Sequence, residues 1–77
     1  MNIVEVNEAQ FRKQLERWHT AGRTLLNLPN VERKAGKLTI SFISLDNGTT
    51  FVLKNKFHSY HELLSWYGKL IDQVEQT

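Results

Sequence analysis

Between positions 37 and 56, apolar and polar residues alternate along the chain, and a short polar break interrupts the alternation in the middle. Alternation with a period of two is the pattern of β-strands that bury one face. The break contains Asp46-Asn47-Gly48, residues that tolerate a positive φ angle in a tight reversal. The sequence therefore predicts a β-hairpin with strands over 37–45 and 49–56. Its expected core positions are Leu38, Ile40, Phe42, Phe51 and Leu53.

Near the N-terminus, the apolar positions follow a helical rather than a strand period. Phe11, Leu15 and Trp18 recur every three or four residues, with charged side chains between them. Asn7 is a good N-cap residue, and Gly22 lies where a left-handed stop is expected. The pattern predicts a helix over 8–20.

A second helix is predicted from Tyr60 onward. Ser59 and Glu62 have the spacing of a capping box, in which a hydroxyl and a carboxylate each accept a backbone amide. Trp66 lies on the flank of the apolar stripe, where its indole should be partly exposed. The stripe itself comprises Tyr60, Leu63, Leu64, Tyr67, Leu70, Ile71 and Val74.

Two segments connect the first helix to the hairpin. Residues 23–28 are apolar and end at Pro29, which favours a strand, and residues 29–36 are polar and predict a loop. The expected fold class is α+β: a three-stranded antiparallel sheet flanked by an N-terminal and a C-terminal helix, in a single domain over 1–77. The sequence also leaves open an additional edge strand over 2–6. The adjacent apolar pair Phe42 and Ile43 favours a sheet buried on both faces over a bulge.

Composition narrows the class of protein. The 77 residues suffice for one small domain, and they include no cysteine, so disulfides and thiolate metal sites are excluded. No secretory signal or apolar membrane span is recognisable, and the expected location is the cytoplasm. The formal net charge of +2 is too small to draw nucleic acid by its field alone, so a nucleic-acid partner is not expected.

The residue pattern does not favour catalysis. No serine is accompanied by a motif that would supply a base, and no glycine-rich phosphate loop is present. His58 and His61 are three residues apart but straddle the start of a helix, with no third histidine nearby and no cysteine in the chain. We therefore expect a binding protein that is not an enzyme and that has no cofactor and no metal.

Several motifs together resemble the Src homology two domain, the eukaryotic phosphotyrosine-binding module. The hairpin turn LDNG at Leu45–Gly48 is followed by aromatic residues and then by HELLSWY at His61–Tyr67, in the order and spacing of that family. Upstream, FRKQLER at Phe11–Arg17 is similar to its first helix and GRTLL at Gly22–Leu26 to the start of its central strand. The resemblance spans about residues 8–71 and implies a module that binds phosphotyrosine peptides.

The phosphate site departs from the family pattern. Where the family carries an arginine whose guanidinium grips two phosphate oxygens, this chain has Asn27. Arg12 matches a first-helix arginine that also touches the phosphate in the family. The candidate phosphate-binding residues implied by the resemblance are Arg12, Asn27, Arg33, Lys34 and Lys54.

Two other functions stay open at this stage. In the first, the chain binds another protein without phosphate recognition, through a sheet edge or through an exposed patch of Tyr60 and Trp66. Alternatively, it is a small bacteriophage or mobile-element protein that binds and inhibits a host protein complex. As a phosphotyrosine reader, so small a module would suit a pathogen effector or viral protein acting in the host cytoplasm. The sequence leaves the oligomeric state open.

Overall fold

The structure is a computed structural model that describes residues 2–76; Met1 and Thr77, the two ends of the predicted 1–77 domain, lie outside the described residues. The secondary-structure elements of the described chain, in order, are β1 (Ile3–Val6), α1 (Glu8–Thr20), β2 (Asn30–Lys34), β3 (Lys37–Ile43), β4 (Thr50–Leu53) and α2 (Tyr60–Glu75). The α+β class is therefore confirmed.

The strands form one mixed sheet in the order β1-β4-β3-β2. Strands β2, β3 and β4 are an antiparallel meander, in which Phe42 pairs with Phe51 across β3 and β4. The optional edge strand exists: β1 pairs in parallel with β4, with Val4 opposite Phe51. The expected three-stranded antiparallel sheet is thus part of a larger, mixed one.

The prediction that the helices flank the sheet is wrong in its geometry, because both helices pack on the same face. Phe11 of α1 contacts Phe42 of β3 edge to face, with ring centroids 4.8 Å apart, and it also contacts Trp66 of α2. Alternate residues of β3 enter this core, while Thr39 and Ser41 point to the opposite, open face. Ile43 is 51% exposed on that open face, so the expected burial of both faces at Phe42 and Ile43 is also wrong.

The predicted helix starts and the Asn7 and Ser59 N-caps are confirmed, but the Glu62 carboxylate accepts the His58 amide at 3.4 Å and not the Ser59 amide that a full capping box requires. The Asn7 side chain accepts the Gln10 amide at 2.8 Å, and the Gln10 side chain accepts the Asn7 amide at 3.0 Å. At α2, the Ser59 hydroxyl accepts the Glu62 amide at 3.2 Å. These bonds satisfy amide groups that a helix start leaves without intrahelical partners. Local sequence therefore determines where both helices begin.

The C-terminal end of α1 is a Schellman motif. Gly22 has a φ of +76°, its amide donates to His19, and the Arg23 amide donates to the Trp18 carbonyl. The chain then makes a turn, closed by the Leu28 amide donating to the Leu25 carbonyl at 3.3 Å. The strand predicted over 23–28 is therefore wrong. This segment buries Leu25 in the core, packs the partly buried Leu28 against it and is otherwise irregular.

The predicted loop over 29–36 is also wrong, since Asn30–Lys34 is strand β2. Ala35 and Gly36 both have positive φ angles, +51° and +79°, and they connect the paired residues Lys34 and Lys37. Two central residues with positive φ are the signature of a type I′ hairpin turn, whose twist matches that of the strands. The polar composition of β2 fits an edge strand that exposes most of its side chains.

The predicted LDNG hairpin is confirmed, although its strands are shorter than expected. Gly48 has a φ of +72°, and the Ser44 amide donates to the Thr49 carbonyl at 2.7 Å across the reversal. The Asn47 side chain accepts the Thr49 amide at 3.1 Å. An ion pair between Arg17 and Asp46 connects this turn to α1.

Candidate binding groove between the helices

A groove of about 430 Å³ lies between α1 and α2. Its lining combines apolar surface with side chains of both charges, and we call it the interhelical groove. The lining residues are Glu8, Ala9, Arg12, Trp66, Lys69, Leu70 and Gln73.

Trp66 forms the aromatic wall of the interhelical groove. Its ring is held between Phe11 and Phe57, at centroid distances of 5.7 and 5.3 Å, and it is half-buried as its position on the α2 flank predicted. Because these contacts fix the indole, a ligand stacking on it would lose little side-chain entropy from the protein. A fixed indole of this kind is a typical anchor for protein recognition.

Arg12 lines the same groove as Trp66. Its guanidinium donates to the Gln73 Oε1 at 3.1 Å across the two helices and lies 3.6 Å from the Glu16 carboxylate. These contacts hold the head group in place while leaving the side chain 39% exposed. Lys69, one turn along α2 from Gln73, brings a second cation to the groove. Glu8 brings one carboxylate, which accepts a hydrogen bond from Asn55 at 2.9 Å.

The remaining candidate phosphate-binding residues lie elsewhere. Arg33 and Lys34 are neighbours on β2, so their side chains leave the sheet on opposite faces. The Arg33 guanidinium donates to the Gly36 carbonyl at 3.4 Å, and Lys34 lies 3.6 Å from the Glu32 carboxylate. Lys54 follows β4, and Asn27 lies in the turn after α1. Of the five candidate phosphate-binding residues, Arg12 is the one among the described lining residues of the interhelical groove.

The two candidate protein-binding residues are also separated. Tyr60 is 53% exposed at the start of α2, next to the exposed Leu64 one turn later. Trp66 faces α1, whereas Tyr60 and Leu64 lie on the side of α2 that is turned away from α1. The structure therefore joins Arg12 with Trp66 in one groove and leaves Tyr60 outside it.

Sequence reasoning missed Lys69, Gln73 and Glu8 as groove residues. The signal was present for two of them, because Lys69 and Gln73 lie three and seven positions after Trp66 and therefore on the same flank of α2. What the sequence does not carry is the pairing of this flank with the Arg12 flank of α1. That pairing depends on how the two helices pack.

Other kinds of site find no support in the described part of the chain. Among residues 2–76, no three acidic or histidine side chains come close enough to hold a metal ion. Neither α1 nor α2, the helices of that range, combines the length and the apolar character required to cross a bilayer.

Comparisons with protein-family models, with curated proteins and with solved structures found no match to this chain. The resemblance to the Src homology two domain stays a prediction from its motifs.

Proposed function

We propose that this chain is a non-catalytic protein-binding module that takes an anionic segment of a partner protein into the interhelical groove. The observation that carries this proposal is the juxtaposition of Arg12 and Trp66 in one groove, with Lys69 nearby. A cation beside an aromatic face suits a ligand that presents an apolar or aromatic group next to a negative charge.

Phosphotyrosine has this chemistry, and so does a carboxylate next to an aromatic side chain. The guanidinium of Arg12 would bind the anion and the Trp66 ring would stack on the adjacent group. The groove replaces the expected site rather than completing it, because Arg33, Lys34 and Lys54 lie outside its lining. One arginine guanidinium with one lysine should bind an anion more weakly than a site with two arginines.

Calorimetric titration with three matched peptides tests this proposal. The peptides carry phosphotyrosine, tyrosine or glutamate at the centre of one common flanking sequence. We expect the phosphotyrosine and glutamate peptides to bind and the tyrosine peptide to bind more weakly. The ratio of the first two affinities separates phosphate recognition from general anion recognition.

Variants then locate the site. Arg12→Ala should weaken binding of the anionic peptides by about 10- to 100-fold, as expected for a lost charge-assisted hydrogen bond. The double variant Arg33→Ala/Lys34→Ala is the matched control, because it removes two cations outside the groove and should change affinity by less than about twofold. Equal binding of all three peptides, or a larger loss in the control than in Arg12→Ala, would eliminate the proposal.

A further inference from the structure

Strand β1 is an uncovered edge of the sheet. Within residues 2–76 it pairs with β4 alone, and the far edge is β2. Ile3 is 67% exposed and Val4 43% exposed, so two large apolar side chains stand at this edge in contact with solvent. An unpaired edge strand is a template for adding another strand.

The hydrogen bonds to β4 show which backbone groups of β1 point outward. The carbonyls of Asn2 and Val6 accept the amides of Thr50 and Lys54 at 2.8 and 2.9 Å. Backbone groups alternate in direction along a strand, so Ile3 and Glu5 direct their amides and carbonyls away from β4. These are the groups that a further strand would engage.

The two edges of the sheet differ in protection. The β2 edge carries Glu32, Arg33 and Lys34, and charged side chains are the usual means of preventing edge-to-edge pairing. The β1 edge, with the sequence IVEV, carries one charged side chain, Glu5, and neither lysine nor proline. Its composition therefore opposes pairing less than that of β2 does.

We propose that β1 pairs antiparallel with β1 of a second copy, about a two-fold axis that passes beside Val4. Side chains that lie opposite each other in an antiparallel pair point to the same face of the sheet. Two identical strands can therefore pair only in registers that place a residue opposite itself, or opposite a residue an even number of positions away in the sequence. In the proposed register Val4 faces Val4, and Ile3 faces Glu5 on both sides of the axis. The outward backbone groups of Ile3 and Glu5 then bond to each other.

The neighbouring register is unfavourable. Shifting the pairing so that Glu5 faces Glu5 places like charges directly opposite each other, which destabilises a strand pair. The Val4 register instead brings two half-exposed apolar side chains together at the closest, non-hydrogen-bonded position. The opposite shift, with Ile3 facing Ile3, leaves the outward groups of Glu5 without a partner within β1. Charge and backbone pairing together therefore favour the Val4 register.

The surface beside this edge is compatible with a second copy. A groove between β1 and α1 is lined by Val4, Val6, Gln10 and Gln14, with the solvent-exposed Lys13 at its rim and Phe51 at its base. Across a two-fold axis the glutamine amides can donate to and accept from each other. A net charge of +2 per chain opposes association only weakly.

Because the edge is short, the interface falls below the standard size of about 1,600 Å², and the dimer should be weak, with a dissociation constant of roughly 10 μM to 1 mM. Sedimentation equilibrium across this range is expected to show a monomer–dimer equilibrium. A monomer throughout overturns the proposal.

Amide hydrogen exchange locates the interface. Ile3 and Glu5 amides should exchange rapidly in the monomer and become protected as concentration rises, whereas the Val4 amide should stay protected throughout, since it faces β4. Dimerisation without protection of Ile3 and Glu5 places the interface elsewhere and overturns the proposal.

Variants separate the two edges. Glu5→Pro removes an outward amide, which edge strands tolerate, and should abolish the dimer. Arg33→Pro makes the same change on the β2 edge and should leave the dimer unchanged. Glu5→Thr keeps the backbone and improves the facing pair with Ile3, so it should tighten the dimer by about two- to thirtyfold. If Glu5→Pro does not fold, the dissociation constant of the Glu5→Thr dimer decides the question. An unchanged dissociation constant in that variant counts against the proposal.

Discussion

The phenol of Tyr67 donates a hydrogen bond to the main-chain carbonyl of Leu25 at 2.6 Å, in a buried position 42 residues away along the chain. This bond fastens the irregular segment after α1 to the middle of α2. Leu25 itself is 2% exposed, so the same point of contact combines a hydrogen bond with apolar packing.

Removing the Tyr67 hydroxyl should therefore destabilise the fold. In Tyr67→Phe the buried Leu25 carbonyl loses one of its two donors and keeps the Leu28 amide, which should cost about 0.5–1.5 kcal/mol. Urea unfolding followed by circular dichroism measures the free energy of unfolding. Tyr60→Phe is the control, because Tyr60 is 53% exposed and its change should stay within about 0.5 kcal/mol. Equal effects of the two substitutions would contradict the role given to the Tyr67 bond.

The same residue should make stability depend on alkaline pH. Burial raises the pKa of the Tyr67 phenol well above its ordinary value of 10.0, because the charged phenolate is poorly solvated there. Above pH 10 the unfolded chain releases this proton while the folded chain keeps it, so the free energy of unfolding falls as pH rises. Below pH 10 this contribution is fully present. Comparing the wild type with Tyr67→Phe between pH 8 and 11 should show a steeper decline in the wild type.

Adjacent leucines provide a test of the path after α1. Leu25 is 2% exposed and Leu26 is 72% exposed. Leu25→Ala should cost about 2–5 kcal/mol through lost burial and a residual cavity, whereas Leu26→Ala should cost less than about 0.5 kcal/mol. Thermal and urea unfolding of the two variants measure this difference. Similar losses would contradict the turn and would favour the strand that the sequence predicts over 23–28.

The β2–β3 turn contains a residue whose backbone is strained. Ala35 has a φ of +51°, a conformation that costs a non-glycine residue about 1 kcal/mol and that asparagine or glycine adopts more easily. Ala35→Asn should therefore raise the free energy of unfolding by about 0.5–1 kcal/mol. Ala35→Gly should be stabilising or neutral, while Ala21→Gly, at a φ of −78°, should be destabilising. A loss of stability in Ala35→Asn would argue against the type I′ turn.

Local signals in the sequence predict much of this fold. The Asn7 and Ser59 caps, the alternation in β3 and the Gly48 reversal depend on neighbours within a few residues, and the structure confirms each of them. Strand β2 escaped prediction because its residues are polar and its order comes from pairing with β3, and because Ala35-Gly36 is a weak turn signal. The strand predicted over 23–28 was wrong for a different reason. The apolar residues around Leu25 suggested a strand, but they do not alternate between two faces as the residues of a strand do.

The candidate site was harder to predict than the fold. Arg12 and Trp66 were each selected from the sequence, but for different sites, and no local pattern indicates that they share a groove. Their proximity follows from the packing of both helices on one sheet face. By the same packing, the cations of β2 lie away from Arg12, because α1 lies over β1 and β4 at the other side of the sheet.

The indole N–H signals of the two tryptophans test the central claim most directly. Trp66 lines the interhelical groove, whereas the Trp18 indole nitrogen is buried without a hydrogen-bond partner among the described residues and does not line that groove. In a two-dimensional proton–nitrogen spectrum, titration with the phosphotyrosine or glutamate peptide should shift the Trp66 signal, and Arg12→Ala should suppress that shift. The Trp18 signal should stay in place. Binding that leaves the Trp66 signal unmoved would contradict the assignment of the groove.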